Sequence, residues 1–477
     1  MAEPHDETGV KSLAIFNRGT KGELRKAWDG IIGMARKVLV RKEGWDPRQE
    51  SRDHLHTLIY DCIYARGGDV SARARTVELG TLYLHLSDEG RETFHDILAH
   101  DFDIDRQELG EKISDLEEAQ SQKDVIRAEI DLKKALAPPR IILLKQFSSL
   151  PNGLKLLIDM RATLLSKVDE DPRLFKFAND IKEILAAWFD IGLLDLQEIT
   201  WNSPAALLEK LIEYEAVHEI RSWEDLRSRL DSDRLCFAFF HNKMVSEPLI
   251  FVEVALANKL SDNIQELLNK DEEKIEPHHA NTAIFYSISN TQPGLAGISL
   301  GNFLIKTVVQ KLSADFTDIK HFATLSPVPG LRGWLDPQLA AGNEEVLRPS
   351  EIEALKEEFE AENGALLLAG ILADDWHSNR VIAVIVKPIL QRLCAHYLLE
   401  EKKGSRALDS VANFHLANGA RLERINWLAD LSENGMKLSY GIMVNYYYKL
   451  GDIEKNHEEY ATKGHIVASR GVKAFLK

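Results

Sequence analysis

The spacing of apolar residues changes near Phe189, and this change constrains the fold more than any other feature of the chain. From about Lys21 to Ala186 apolar residues return every three or four positions, as in GLKLLIDMRATLLSKV, which is the period of an α-helix. Turn residues such as Pro138-Pro139 and Pro151-Asn152-Gly153 divide this stretch into short helices. The first part of the chain is therefore predicted to be a helical bundle.

After Phe189 the apolar residues form short runs or alternate with polar ones, in RLCFAFFH, PLIFVEVALA, NTAIFYSISN, KHFATLSPV, VANFHLANG and YGIMVNYYY. Such segments are typical of β-strands, and amphipathic helical stretches separate them. The length of 477 residues also exceeds what one hydrophobic core usually organises. We therefore predict an α+β multidomain protein, with an all-α bundle over residues 1–188 and a mixed α/β domain over residues 189–477.

Charge and cysteine content exclude several classes of protein. The chain has 59 basic and 75 acidic residues, and its net charge of −16 disfavours nucleic acid as a partner. Its three cysteines lie far apart and form neither a disulfide framework nor a zinc-binding pair, so we expect a reducing compartment: Cys62, Cys236 and Cys394. The histidines that stand close together have no carboxylate or cysteine pattern beside them, so no metal site is predicted: His54, His56, His278 and His279.

The sequence shows no pattern that targets a membrane or an organelle. The first residues, MAEPHDETGVKSLAIF, carry acidic groups where a leader peptide would be basic. The longest apolar run, ALLLAGILA, is shorter than the ~18 residues that span a bilayer. We expect a soluble cytoplasmic protein that makes no membrane contact.

The stretch NTQPGLAGISLGNFLIKTVVQKL combines the end of a strand, a glycine-rich loop and an amphipathic helix that is predicted to begin near Ile298. Free backbone N–H groups at such a helix start suit a pyrophosphate, although a plain connection has the same pattern. It is neither a P-loop nor a GxGxxG fingerprint. GISLG formally matches the nucleophile elbow of serine hydrolases, but NTQPGLA separates its first glycine from the strand, so Ser299 fits a helix cap better.

Other candidate residues lie further along the chain. In LSPVPG, two prolines follow Ser326, and the first of them holds it in an extended geometry, either as a catalytic hydroxyl or as an ordinary turn serine. In VANFHLANGA, a predicted strand, His415 and Asn413 would share one face, and the imidazole is either a proton-transfer group or a structural histidine. Tyr448, in VNYYYKL, is either a packed strand aromatic or a polar tip in a site.

Several of these segments, taken together and in order, resemble the malonyl-CoA decarboxylase family: AIFYSIS, QPGLAGISLGNFLIK, LSPVPG and VANFHLANGARLERINW. The likeness also includes EAVHEI, EPLIFVEVALA and NYYYKL, so it covers the second half of the chain nearly continuously and the first half more loosely. It implies an N-terminal helical domain used in homo-oligomerisation, as a dimer or tetramer. It also implies a catalytic domain with the acetyltransferase (GNAT) fold.

The resemblance assigns roles to particular residues. The family's active-site serine matches Ser326, its catalytic histidine matches His415, and a site tyrosine matches Tyr448. The loop that holds the CoA pyrophosphate matches Ala296, Gly297, Ile298, Ser299, Leu300, Gly301 and Asn302. The chain departs from the family at Ser299, where relatives carry an acidic residue; this puts a catalytic use of that side chain in doubt but leaves phosphate binding by the backbone unaffected.

The activity that the resemblance implies is conversion of malonyl-CoA to acetyl-CoA and CO2, a carboxy-lyase reaction of fatty acid and malonate metabolism. Because the thioester carbonyl can hold the electrons as an enolate, no cofactor is expected, CoA being part of the substrate. Backbone amides or Asn413 are candidates to line the enolate oxygen. The alternatives are an acyl-CoA hydrolase that uses Ser299 or Ser326 as nucleophile, a CoA-dependent acyltransferase, and a non-catalytic CoA-binding protein.

Overall fold

A computed structural model describes residues 51–477, except for residues 65–68, 170, 190, 271–273, 299–300 and 360. The chain forms two compact units. Among the described residues, one unit contains those up to Leu194 together with the short segments 241–247 and 292–298, and the other contains the rest. The first sixteen residues, for which no leader peptide is predicted, lie outside the described part, and so do Ser299 and Leu300.

The described residues before Phe189 are helical, as the spacing of their apolar residues predicts. The helices are α1 (Arg52–Tyr64), α2 (Asp69–His85), α3 (Asp88–His100), α4 (Arg106–Glu118), α5 (Gln122–Ala135), α6 (Arg140–Ser148), α7 (Gly153–Leu165) and α8 (Pro172–Trp188). Their starts follow local chemistry: α8 has Pro172 at its first position, and the Asp171 carboxylate accepts the N–H of Arg173 at 2.8 Å. Apolar side chains from several helices are fully buried, including Leu55, Phe94, Leu143 and Phe147.

A mixed β-sheet organises the second unit. Its strands are β1 (Leu194–Ile199), β2 (Arg234–His241), β3 (Pro248–Ala257), β4 (Thr282–Asn290), β5 (His321–Thr324), β6 (Ser326–Pro327), β9 (Arg421–Asn426) and β10 (Met443–Tyr447), while β7 (Lys402–Lys403) and β8 (Arg406–Ala407) form a separate hairpin. The order in the sheet is β1-β2-β3-β4-β5-β10-β6, and β9 also pairs with β10. Strands β4 and β5 are parallel, whereas β2–β3, β3–β4 and the pairs that β10 makes are antiparallel.

The remaining helices of the second unit connect and cover these strands. They are α9 (Ala205–Tyr214), α10 (Trp223–Arg229), α11 (Ile264–Leu267), α12 (Gly301–Asp315), α13 (Leu331–Ala340), α14 (Pro349–Glu358), α15 (Gly364–Ala373), α16 (Arg380–Leu399), α17 (Ser410–Ala417), α18 (Glu433–Ser439), α19 (Ile453–Lys463) and α20 (Arg470–Ala474). The predicted order, a helical region followed by a mixed domain, is confirmed. The boundary at residue 188, the GNAT fold and the role of the first domain in oligomerisation stay predictions.

Within the described part of the chain, α16 is the one helix that is long and apolar enough to cross a membrane by length and composition alone. However, 56% of its apolar window is buried inside the protein. Its Arg392 donates to Glu351, with 2.6 Å between Nη2 and Oε2. A buried core helix passes the same test of length and composition, so α16 is weak evidence for a membrane span. The cytoplasmic location stays a prediction from the sequence.

The prediction of a strand at VANFHLANG was wrong, because these residues form helix α17. The carboxylate of Asp409 starts this helix by accepting the N–H of Ala412 at 2.9 Å. A short apolar run does not by itself distinguish a helix from a strand. In an α-helix each residue is rotated by ~100° from the one before, so residues two positions apart lie on nearly opposite sides. Asn413 and His415 therefore do not share a face.

Candidate active site

The Ser326 hydroxyl is positioned by a short break between two strands. β5 ends at Thr324, and the chain continues through the buried Leu325 into β6, where Ser326 pairs with Val444 of β10. Because side chains alternate along an extended chain, Thr324 and Ser326 project from the same face. Their hydroxyl oxygens are 2.8 Å apart, and Ser326 donates to Thr324. Both residues are buried, so the sheet fixes the direction of the serine.

His415 contacts both of the other predicted site residues, Ser326 and Tyr448. Its Nε2 lies 3.1 Å from Ser326 Oγ, and its Nδ1 lies 2.8 Å from the hydroxyl oxygen of Tyr448. Ser326 and Tyr448 are 89 and 33 positions from His415 in the sequence. The structure therefore joins the strand-break serine, the α17 histidine and the residue that follows β10 in one hydrogen-bonded group.

Aromatic rings hold the imidazole in place. The Tyr446 ring stacks on it, with centroids 4.6 Å apart and planes at 25°. The Tyr448 ring meets it edge-on, at a centroid distance of 6.2 Å. Tyr448 is itself fixed because its backbone N–H donates to the carbonyl of Phe322 at 2.8 Å. The imidazole consequently has little freedom to rotate away from Ser326.

Burial sets the protonation states of this group. It lowers the pKa of His415 to about 3, because the charged imidazolium loses its hydration. It raises the pKa of the Tyr448 phenol well above its usual value, for the same reason. At neutral pH the site therefore contains a neutral imidazole and a protonated phenol.

Asp409 links the serine segment to the histidine helix, and sequence analysis missed it. While its Oδ1 caps α17, its Oδ2 accepts the backbone N–H of Gly330 at 3.1 Å. A side chain at position 330 would not fit, since a Cβ there would lie 2.0 Å from the Tyr397 hydroxyl oxygen. Burial raises the pKa of the Asp409 carboxyl. The sequence did contain a signal for this residue: an aspartate two positions before the VANF motif is a typical N-cap of a helix.

Asn445 holds the backbone at the break between β5 and β6, and the sequence analysis did not identify it either. Its Nδ2 donates to the backbone carbonyl of Thr324 at 2.7 Å, and its Oδ1 accepts from Nδ2 of Asn426 at 2.9 Å. The side chain is fully buried. By contrast, Asn413 does not join the site: its Oδ1 accepts the Tyr460 hydroxyl at 2.9 Å.

The predicted phosphate-binding loop has two described parts. In the first, Gly297 has a φ of +74°, and a Cβ at Gly294 would lie 1.9 Å from the carbonyl oxygen of Ile158. The N–H groups of Ala296 and Ile298 donate within the loop, to Pro293 and Leu295, so they are not free as the sequence suggested. In the second part, the described residues of α12 start with Gly301 and Asn302, and Ser299 and Leu300, between the two parts, lie outside the described residues.

Arg161 of helix α7 ties down the first part of this loop. Its Nη1 donates to the carbonyls of Gly294, at 2.6 Å, and Ala296, at 2.8 Å. Its Nε donates to the carbonyl of Ala178 at 3.1 Å. The side chain is buried, so this guanidinium spends its donors on backbone oxygens and fixes the loop against α7.

Two family models match the chain. The malonyl-CoA decarboxylase C-terminal domain matches residues 192–477, and the malonyl-CoA decarboxylase N-terminal domain matches residues 102–189. The chain belongs to the malonyl-CoA decarboxylase family. The resemblance inferred from the motifs is thereby confirmed, and the match of the N-terminal model extends it into the helical region.

Relatives and solved structures of the malonyl-CoA decarboxylase family agree. The mitochondrial malonyl-CoA decarboxylase of Anser anser anser is 37% identical over 395 residues, which are 80% of this chain and 78% of the relative. That of Rattus norvegicus is 36% identical over 391 residues, or 79% of each. The crystal structure of malonyl-CoA decarboxylase from Rhodopseudomonas palustris has a TM-score of 0.81 and 40% identity, covering 89% of this chain and 100% of that one. The Agrobacterium vitis structure has a TM-score of 0.77 and 39% identity, with coverages of 89% and 99%.

Within the described residues of this malonyl-CoA decarboxylase family member, no group of three or more histidine, cysteine, aspartate or glutamate side chains is arranged to hold a metal ion. The hydrogen-bonded group of Ser326, His415 and Tyr448 instead offers neutral donors and acceptors in a buried setting. Such a set can donate a proton and form hydrogen bonds to a developing negative charge.

Proposed function

We propose that the chain converts malonyl-CoA to acetyl-CoA and CO2, with Ser326, His415 and Tyr448 at the acyl end of the substrate. Membership of the malonyl-CoA decarboxylase family supports the activity. The observation that carries the site is the hydrogen-bonded connection of these residues, at 3.1 Å between Ser326 and His415 and 2.8 Å between His415 and Tyr448.

The reaction needs one bond to break and one proton to arrive. The bond between C2 and the carboxylate carbon breaks, CO2 leaves, and its electron pair passes through C2 onto the thioester oxygen as an enolate. C2 then takes a proton and acetyl-CoA is complete. Since the thioester itself holds the electrons, we propose that no separate cofactor takes part. Turnover that is unchanged after exhaustive dialysis against a chelator supports this point, and turnover that is lost and returns with a metal ion contradicts it.

The proton reaches C2 from His415 by way of Ser326 in this proposal. Ser326 gives its proton to C2 and takes the Nε2 proton of His415, whose Nδ1 takes the proton of Tyr448. The protein ends with one proton fewer, and solvent restores it between turnovers. A positioned donor of this kind is typically worth about 10²- to 10⁴-fold in rate. Burial keeps His415 neutral before substrate binds, which leaves its N–H group ready to donate.

CoA is proposed to bind along the segment from Ala296 to Asn302. Two observations support this: Arg161 fixes the carbonyls of Gly294 and Ala296, and helix α12 begins at Gly301. The strands before and after that helix in the sequence, β4 and β5, are parallel neighbours in the sheet. The GNAT fold itself is part of the proposal.

Self-association is proposed to involve the hairpin of α4 and α5. Apolar side chains project from it into solvent: Ile113 is 43% exposed, Ile126 is 50% exposed and Ile130 is 51% exposed. Burying them against a second copy, in a dimer or tetramer, would remove this apolar surface from water.

Product analysis separates the proposed activity from its rivals. Purified protein is incubated with malonyl-CoA alone, and the products are identified by mass while a thiol reagent follows free CoA. We expect acetyl-CoA and CO2 with no released thiol. Free CoA would indicate a hydrolase, unchanged malonyl-CoA that is consumed only after an amine acceptor is added would indicate an acyltransferase, and unchanged malonyl-CoA under both conditions would indicate a binding protein.

A further inference from the structure

The hydrogen bonds at the site continue beyond Ser326 to Thr324, a residue to which neither the sequence motifs nor the family likeness gives a role. We infer that Thr324 is a positioning residue that sets the direction of every hydrogen bond in the site, and that it thereby makes Ser326 a proton carrier rather than a nucleophile. This inference rests on the proposed function.

Thr324 Oγ1 accepts two hydrogen bonds. The backbone N–H of Tyr446 donates to it at 3.1 Å, and a backbone amide can only donate. The hydroxyl of Ser326 donates to the same oxygen at 2.8 Å. A hydroxyl oxygen has two lone pairs, and both are therefore occupied. The single proton of Ser326 points at Thr324.

The direction of the Ser326 hydrogen bond fixes the tautomer of His415. Because the Ser326 proton is already used, Ser326 Oγ must accept in its 3.1 Å contact with Nε2 of His415. Nε2 therefore carries a proton. A neutral imidazole carries only one, so Nδ1 accepts, and its partner at 2.8 Å is the hydroxyl of Tyr448. The donors run in one direction, from Tyr448 through His415 and Ser326 to Thr324.

The surroundings of Thr324 hold its side chain in this position. Its side chain is fully buried, and its backbone pairs with Phe285 in the parallel contact of β4 and β5. Asn445 holds its carbonyl oxygen at 2.7 Å, and Arg424 in turn donates from Nε to Asn445 Oδ1 at 3.0 Å. The hydroxyl that receives the Ser326 proton is thus fixed on several sides.

The direction of the chain decides which reaction the site favours. A serine nucleophile must give its proton to the adjacent histidine, which requires an Nε2 that accepts. Here Nε2 donates, so Ser326 is supplied with protons and is not deprotonated. In the reaction the Ser326 hydroxyl turns its proton from Thr324 to C2, and the Nε2 proton of His415 replaces it. Attack on the thioester would instead need a base at Nε2, which this tautomer does not offer. Thr324 therefore favours decarboxylation over hydrolysis of the same substrate.

The direct test is the tautomer of His415 in the whole protein. The chain contains 16 histidines, so protein labelled with ¹⁵N-histidine is recorded by long-range ¹H–¹⁵N correlation, and the His415 signals are identified as those absent from His415→Gln. At neutral pH we expect the Nε2–H tautomer. The Nδ1–H tautomer in the unsubstituted protein would overturn the inference, whatever its turnover.

Matched variants test the role of Thr324 itself. Thr324→Val keeps the shape and removes the hydroxyl, while Thr324→Ser keeps the hydroxyl. In Thr324→Val we expect Nδ1–H signal to appear for His415, decarboxylation to fall by about 10²-fold, and free CoA to be released from malonyl-CoA. Thr324→Ser should restore the tautomer and most of the rate.

An unchanged tautomer in Thr324→Val would overturn the inference, and if that variant does not fold, the tautomer of the unsubstituted protein still decides. A protein that has the expected tautomer but does not convert malonyl-CoA would instead refute the proposed function.

Discussion

Asp409 holds Gly330 by its backbone, with 3.1 Å between the carboxylate Oδ2 and the amide nitrogen, and so connects the segment of Ser326 to the helix of His415. The two partners are 79 positions apart in the sequence. The carboxylate also caps α17 through Ala412. The Asp409 side chain therefore binds both the start of helix α17, which carries His415, and the backbone shortly after Ser326. These two contacts help to keep Ser326 and His415 at 3.1 Å.

Gly330→Ala tests this connection. The added Cβ would lie 2.0 Å from the Tyr397 hydroxyl oxygen, so either the tyrosine or the serine segment must move. We expect kcat to fall by at least about tenfold, since small displacements of catalytic groups are costly. Steady-state kinetics on malonyl-CoA measure the loss.

The matched background for that variant is Tyr397→Phe, which removes the oxygen that the Cβ meets. In this background Gly330→Ala should cost less than it does in the unsubstituted protein. Equal losses in the two backgrounds would show that Tyr397 is not the obstacle.

Arg161→Met tests the anchoring of the predicted CoA loop. The substitution keeps much of the length but removes the donors to the carbonyls of Gly294 and Ala296. Because the loop is proposed to bind CoA rather than to perform chemistry, we expect KM for malonyl-CoA to rise by about tenfold, equivalent to ~1.4 kcal/mol, with a smaller change in kcat. Initial rates over a range of substrate concentrations give both constants.

Lys167→Met is the control for that experiment. Lys167 is in the same unit and makes a partly exposed ion pair with Glu92, whereas the loop carbonyls of Gly294 and Ala296 accept from Arg161. It should leave KM unchanged. A fall in kcat at constant KM in Arg161→Met would place the arginine's effect on the chemical step instead.

Buried His95 should make the protein sensitive to acid. Burial lowers the pKa of His95 to about 3, and its Nε2 lies 2.8 Å from the Tyr83 hydroxyl oxygen. Between pH ~6.5 and ~3 the unfolded chain binds a proton that the folded protein does not, so the free energy of unfolding falls as the pH falls, by ~1.4 kcal/mol per unit for one such group. Above pH ~6.5 this contribution is complete and constant.

The comparison is His95→Gln against the unsubstituted protein, by urea unfolding at pH 7, 6 and 5. The variant should lose stability less steeply with acid, whatever its stability at pH 7. Unfolding free energies that fall in parallel for the two proteins would mean that His95 is protonated in the folded state as readily as in the unfolded state.

Ile126→Asp combined with Ile130→Asp tests the proposed contact of the α4 and α5 hairpin. A charge at each exposed position opposes burial against a second copy. We expect the molar mass in solution, measured by light scattering, to fall to that of a smaller species, while the melting temperature changes little because both side chains are about half exposed. Glu129→Lys, an exposed charge change on the same helix, should leave the mass unchanged. An unchanged mass for the double variant would exclude this hairpin as a contact.

Sequence reasoning predicted the parts of the fold that depend on local patterns. Strands β2 and β3 occupy the segments RLCFAFFH and PLIFVEVALA residue for residue, because β-branched and aromatic side chains buried on a sheet give a clear signal. The segment of His415 was misassigned because a run of eight residues satisfies both periods, and the cap at Asp409 that decides between them was not considered.

The supports of the site could not be read from the sequence. Thr324 Oγ1 accepts the backbone N–H of Tyr446, which is 122 positions away, and no local sequence pattern around either residue predicts this hydrogen bond. The same holds for Asn445 and the carbonyl of Thr324, 121 positions apart. Motifs identified Ser326, His415 and Tyr448 as candidates, whereas the residues that aim them are revealed only by the pairing of β10 with β5 and β6.

The central claim is that Ser326 and His415 act on the acyl group and not on CoA binding. The most direct measurement compares the unsubstituted protein with Ser326→Ala and His415→Gln, following conversion of malonyl-CoA to acetyl-CoA by mass and CoA binding by calorimetry. Each variant should lose about 10²- to 10⁴-fold in kcat while binding CoA with nearly unchanged affinity. Either variant turning over malonyl-CoA at close to the normal rate would contradict the account.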